Sequence, residues 1–120
     1  MILAPIILTS ALIQAKADKV KTWYVTTETI EASVTKYGCK QACVTAIGKK
    51  PVAGRTIACP KRFAMGVAVS IEGVRYICED RTADWVQRRN GDTFDIFTNE
   101  TEKEQRQFGR QKMEVTITHN

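Results

Sequence analysis

Two carboxylates sit where solvated surface charges are not ordinarily placed. Ile77-Cys78-Glu79-Asp80-Arg81 and, fifteen residues beyond Asp80, Phe94-Asp95-Ile96-Phe97 each set an acid in or beside a short apolar run. An ionised carboxylate is costly to withdraw from water unless it is paired or hydrogen-bonded, so two of them in strand-like surroundings point to a cleft that uses them for acid-base work. Asp80 is the leading candidate and Asp95 its supporting partner. The bland alternatives are a strand-end ion pair between Asp80 and Arg81, and a turn that Asp95 braces by accepting backbone hydrogen bonds. The single histidine, His119, lies next to the end of the chain, which argues against a His-based triad or a histidine metal site.

The elements that must hold these acids are short and β-like. Trp23 to Val34 is rich in Thr, Val and aromatic residues, and it is followed by runs at Thr56 to Ala58, Val67 to Ile71, Val74 to Cys78, Thr93 to Phe97 and Met113 to Thr118. Glycine and proline punctuate them, at Gly38, Gly48, Pro51, Gly54, Pro60, Gly66, Gly73 and Gly91. Glu72-Gly73 between two apolar runs predicts a tight hairpin. The spacing favours a mainly β chain, a small barrel or sandwich. One helix is expected, from about Glu100 to Phe108, with Asn99 as its cap, Glu102 in a capping box and Gly109 ending it. The stretch from Arg81 to Gly91 reads as a loop.

The chain of 120 residues has room for one domain. Ile2 to Ile13 is an apolar stretch of signal-peptide length, and Ala15-Lys16-Ala17 offers a small-x-small cleavage pattern. Residues 1–17 are therefore expected to be a leader and 18–120 the domain; an uncleaved anchor, a misassigned start or a buried strand would leave the same pattern. Four cysteines fit an oxidising compartment and permit three pairings. Cys39 and Cys43 can close a short local loop, which would leave Cys59 and Cys78 to tie two segments together. A zinc site is disfavoured, because Cys-x3-Cys followed by two isolated cysteines lacks the paired short spacings of zinc ribbons. The net charge of +5 favours an anionic partner without naming one, and no nucleic-acid module is recognisable.

Taken in order, Thr45-Ala46-Ile47-Gly48, Gly54-Arg55-Thr56-Ile57-Ala58-Cys59-Pro60, Phe63-Ala64-Met65-Gly66, Tyr76-Ile77-Cys78-Glu79-Asp80, Phe94-Asp95-Ile96-Phe97 and Phe108-Gly109-Arg110 resemble the three-aspartate domain family. That family is related to the barrel domain of membrane-bound lytic transglycosylase A and, more distantly, to rare lipoprotein A and the expansins. The likeness runs from about Val25 to Ile117. It implies a small six-stranded double-psi β-barrel with one short helix near the C-terminus, acting on peptidoglycan without a cofactor. In such enzymes one aspartic acid protonates the glycosidic oxygen between N-acetylmuramic acid and N-acetylglucosamine, then accepts a proton from the muramyl 6-hydroxyl as an anhydro ring closes.

Residue by residue, the resemblance places the catalytic aspartate at Asp80, the last aspartate at Asp95 and a substrate-side threonine at Thr45. Such an acid must keep its proton until substrate arrives, which Tyr76, Ile77 and Phe94 could favour as apolar neighbours and Asp95 or Glu79 as like charges. Strand alternation would send Glu79 to the opposite face and leave Cys78 on the face of Asp80. The family's first aspartate falls at Cys59, so a Cys59 to Cys78 bridge would cross the floor of the cleft. The family's glycine-rich stretch after the catalytic aspartate is replaced here by Arg81 to Gly91, where Arg81 and Trp85 are candidate substrate contacts and Arg88 or Arg89 could meet a carboxylate. The resemblance further implies a monomer that is secreted, periplasmic or wall-associated, contacts peptidoglycan glycan strands but no nucleic acid, and is not stably inserted in a membrane after processing. The rival readings are a non-catalytic, expansin-like module that binds or loosens wall glycan, and a phage or mobile-element component using the same fold.

Overall fold

The computed structural model describes residues 6–14 and 22–119, with side chains from residue 25 onward. Seven strands and two short helices follow one another: β1 (Ile6–Gln14), β2 (Thr22–Tyr37), β3 (Thr56–Cys59), β4 (Ala68–Ile71), β5 (Val74–Arg81), α1 (Asp84–Asn90), β6 (Thr93–Phe97), α2 (Glu102–Phe108) and β7 (Gln111–His119). The strand order is β1-β2-β6-β3-β5-β4-β7, and β7 returns to pair with β2. Six strands thus close a small barrel, and β1 lies outside the closure, antiparallel to the first part of β2. Two pairings, β2 with β6 and β3 with β5, are parallel.

Residues 6–14, within the stretch expected to be a leader, are strand here, while the Ala15-Lys16-Ala17 pattern lies outside the described residues, as do the side chains of Trp23 and Tyr24. No helix among the described residues is long and apolar enough to cross a membrane.

Alternation sorts each strand into two faces. Ile30, Ala32 and Val34 of β2 enter the barrel, where they meet Ile57, Cys59, Val69, Cys78, Phe94, Ile96, Val115 and Ile117. Phe63 plugs the core from the β3–β4 connection, its ring 5.5 Å from that of Phe94. Each large apolar side chain so buried contributes about 1.5–3 kcal/mol. The β4–β5 hairpin turns through Glu72 and Gly73, which both have positive φ, 49° and 80°. That is the geometry of a two-residue hairpin whose twist matches its strands, and glycine takes it without steric cost.

Two expectations about helices change. The stretch after Arg81 holds α1, which has no side-chain cap at Ala83. Tertiary contacts hold it instead: Lys61 pairs with Asp84 at 3.0 Å, and the Gln87 amide bonds both the N–H and the C=O of Thr93, each at 3.2 Å. In α2 the cap is Thr101, not Asn99, and the reciprocal acid is Glu104, not Glu102. Gly109 ends α2 with φ 64°, as the sequence predicts.

A register shift in β5 overturns the expected face assignment. Ile57 pairs with Cys78 but Ala58 pairs with Asp80, so Glu79 is an extra residue opposite β3. An inserted residue reverses the alternation beyond it. Cys78 therefore points into the core with Ile57, whereas Asp80 shares the outer face of Ala58, and Glu79 faces outward as well, accepting from the Thr56 hydroxyl at 2.9 Å. Cys59 and Cys78 form a disulfide, and so do Cys39 and Cys43. The Cys59–Cys78 bridge lies in the barrel core, not across the floor of the acidic cleft.

Candidate functional site

The outer wall of the barrel carries a lateral row of four residues, Thr35 of β2, Asp95 of β6, Ala58 of β3 and Asp80 of β5, each in register with the next. Ala58, only 3% exposed, is the small residue between the two acids. Regular alternation puts Phe94 in the core, away from the acids, and puts Phe97 on the side of Asp95.

Asp80 is half-buried, and its carboxylate is held from three directions. The Tyr37 hydroxyl donates to Oδ2 at 2.8 Å, while the backbone N–H groups of Ala46 and Arg81 donate to Oδ1 at 3.0 and 2.9 Å. A carboxylate offers about four acceptor positions, so these donors leave one open, on Oδ2. The Arg81 side chain is turned away: its Nη1 donates to the carbonyls of Pro60 and Phe63 at 2.9 and 2.7 Å. The expected ion pair between neighbours is replaced by a backbone contact.

Asp95 accepts from the Thr35 hydroxyl at 2.9 Å. Burial pushes its carboxyl above the ordinary carboxylate range; the Thr35 hydrogen bond and the charge of Arg110 pull it back, and the charge of Asp80 adds to the rise. Glu79 is the most buried of the three acids and is accounted for locally, by Arg55 at 3.0 Å and by Thr56.

A loop from Gly38 to Arg55 covers this wall, closed near its start by the Cys39–Cys43 bridge. Thr45 is buried and shapes the loop: its carbonyl accepts from Gly48 N at 2.8 Å, its N–H donates to Lys49 O at 2.7 Å, and its hydroxyl accepts from Lys49 N at 3.4 Å. Its neighbour Ala46 reaches Asp80, which ties the loop to the barrel. Beside this strap lies a cleft of about 500 Å³ bordered by the Cys39–Cys43 bridge, Gln41, Lys50, Val52 and Phe97. Val44, Ile47 and Val52 leave an apolar edge along the strap, 73%, 40% and 52% exposed. The chain matches no family model, no curated protein and no solved structure.

Trp85 stands in the first turn of α1, 59% exposed, with Arg88 and Arg89 exposed in the last turn. It has no direct contact with either carboxylate among the hydrogen-bonded groups of the site. The structure thus brings together Asp80, Asp95 and the turn of Thr45, and sets Trp85 on a separate short helix.

Tyr37 and Phe97 are the residues that sequence reasoning missed. Tyr37 closes β2, and its ring packs edge-on against Phe97 with centroids 5.4 Å apart. The only signal available was an aromatic residue with a polar tip at the end of a β run, immediately before Gly38.

Proposed function

We propose that the protein is a secreted double-psi β-barrel that cleaves peptidoglycan as a lytic transglycosylase, with Asp80 as acid and then base. The observation that carries this reading is the fixed Asp80 carboxyl, held by three donors that leave one of its acceptor positions unfilled. Two parallel pairings within an otherwise antiparallel closed barrel support the double-psi part, and two disulfides support an extracytoplasmic location.

The chemistry needs one carboxyl group. Asp80 gives its proton to the glycosidic oxygen, and the bond from that oxygen to the muramyl anomeric carbon breaks with its electron pair going to the oxygen. The muramyl 6-hydroxyl attacks the anomeric carbon and passes its proton to the Asp80 carboxylate, which restores the acid and leaves an anhydro sugar. Hydrolytic glycosidases need a second carboxylate to activate water or attack the sugar, whereas an internal hydroxyl is already held beside its target. Asp95 would then act as the buried neighbour whose charge state tunes the site.

Incubation with purified peptidoglycan, read by mass spectrometry, should release anhydromuropeptides. Asp80→Asn should reduce product by at least about a thousandfold while wall binding persists, the scale expected when a general acid is removed. Full activity in that variant would falsify the assignment.

A second reading, a non-catalytic wall-binding or loosening module, is favoured by one specific observation. The Ala46 contact makes Asp80 a clasp between strap and barrel, a role that asks for no chemistry. Under it, the protein sediments with purified wall and releases nothing.

A further inference from the structure

The hydroxyl on Asp80 comes from a residue to which neither the motif pattern nor the chemistry above assigns a part. Tyr37 is the last residue of β2, and both its backbone and its ring are anchored. Its carbonyl accepts from Thr98 N at 2.8 Å, and the edge-on contact with Phe97 sets the plane of the phenol. Its Oη then meets Asp80 Oδ2 at 2.8 Å, across sequence separation of 43 residues. Two rigid strands set this distance, so the hydrogen bond is built into the barrel and does not depend on the strap.

We infer that Tyr37 is the positioning residue of Asp80: it locks the carboxyl rotation, leaves one Oδ2 position open to a ligand, and stabilises the carboxylate each time the proton leaves. Its kinetic consequence rests on the transglycosylase reading; its hold on the carboxyl does not. Hydrogen bonds to an ionised acceptor are about twice as strong as neutral ones, so the Tyr37 bond strengthens as Asp80 gives up its proton. The charged groups facing the phenol are Asp80 and Glu79 from β5 and Asp95 from β6, with Arg110 acting on Asp95 from beyond α2. Burial first, then the Asp80 hydrogen bond and these negative charges, push the phenol well above its ordinary range. Tyr37 is therefore a permanent donor and never a competing base.

The test uses two variants of the full chain, Tyr37→Phe and a protein with 3-fluorotyrosine introduced at position 37 alone, whose phenol is the stronger donor. The Ala46 amide donates to Oδ1, so its proton chemical shift reports the charge on the carboxyl in 1H-15N spectra recorded across pH. Loss of the hydroxyl should move the midpoint of that signal to higher pH by about one unit, the shift that corresponds to a tenfold change in the proton equilibrium. Fluorination should move it to lower pH. A residue that merely packs would show no opposite displacements.

With peptidoglycan as substrate, Tyr37→Phe should lower kcat about tenfold to a hundredfold with KM little changed, and shift the alkaline limb of the rate profile, where the general acid loses its proton, upward. Ala46 midpoints that coincide in all three proteins overturn the inference, whether or not product is released. Opposite displacements with no anhydro product from the unsubstituted protein leave the inference standing and sink the transglycosylase reading.

Discussion

Asp80 and Asp95 are both paired in register with Ala58, one from each side, so a single methyl group separates two acids on the outer wall of the barrel. Two strand spacings put their backbones about 10 Å apart, close enough for the charge of one to raise the other. They differ in what surrounds them. Asp80 is held by three donors, whereas Asp95 has one hydroxyl and is governed by burial.

The first consequence concerns pH. Burial raises the folded-state value of Asp95 above its unfolded one, so the fold binds this proton more tightly than the unfolded chain does. The stabilisation is complete below the ordinary carboxylate range and is lost as pH rises through the raised folded value. Asp95→Asn keeps an acceptor for Thr35 but cannot ionise. Its thermal midpoint should therefore gain on that of the unsubstituted protein as pH increases from about 3.5 to 7, a window spanning the ordinary carboxylate values. A difference that stays constant over that range would show that Asp95 is not buried as described.

The two disulfides should prove unequal. Cys59→Ala with Cys78→Ala removes a core bridge between residues 19 apart and should cost about 3 kcal/mol in urea denaturation. Cys39→Ser with Cys43→Ser opens a loop with a separation of 4 and should cost much less globally. Its effect is local: hydrogen exchange at the Ala46 amide should quicken in the second pair and not in the first. Unchanged Ala46 protection would mean that the strap holds Asp80 without its bridge.

Helix α2 offers a test of where its cap lies. Thr101 accepts from Glu104 N at 3.1 Å, and Glu104 Oε1 accepts from Thr101 N at 3.0 Å. Thr101→Ala should cost about 1 kcal/mol in chemical denaturation. Asn99→Ala, at the position that the sequence favours, should stay within about 0.5 kcal/mol of the unsubstituted protein. The reverse order would move the helix start.

Trp85 is exposed and outside the core, so Trp85→Ala should leave stability within about 0.5 kcal/mol. If its ring stacks on sugar, co-sedimentation with purified wall should weaken about tenfold, the scale of one lost aromatic contact. Unaltered binding would remove α1 from the glycan surface and confine recognition to the cleft beside the strap.

Much of the architecture was legible because strands and turns leave local marks. Five of the expected runs became β3 to β7 with boundaries shifted by at most three residues, and Glu72-Gly73 turned the hairpin. Helix α1 was not legible, because Ala83 offers no cap and seven largely polar residues carry no apolar stripe. What makes it helical is Gln87 docking on the backbone of Thr93 and Lys61 reaching Asp84. The inserted Glu79 was equally silent. Nothing in Cys78-Glu79-Asp80 announces that alternation breaks there, since the break exists only relative to β3.

The amino-acid sequence by itself determined that the chain is mainly β, where its hairpin turns, and that Asp80 and Asp95 are the acids to watch, because hydrophobic period, turn residues and misplaced charges are properties of neighbours along the chain. Tertiary structure alone decided which face each acid occupies, that Ala58 lies between them, and that Tyr37 and the Ala46 N–H hold Asp80. The two holds on Asp80 join residues 43 and 34 positions apart, and only closure of the barrel brings them within hydrogen-bonding distance.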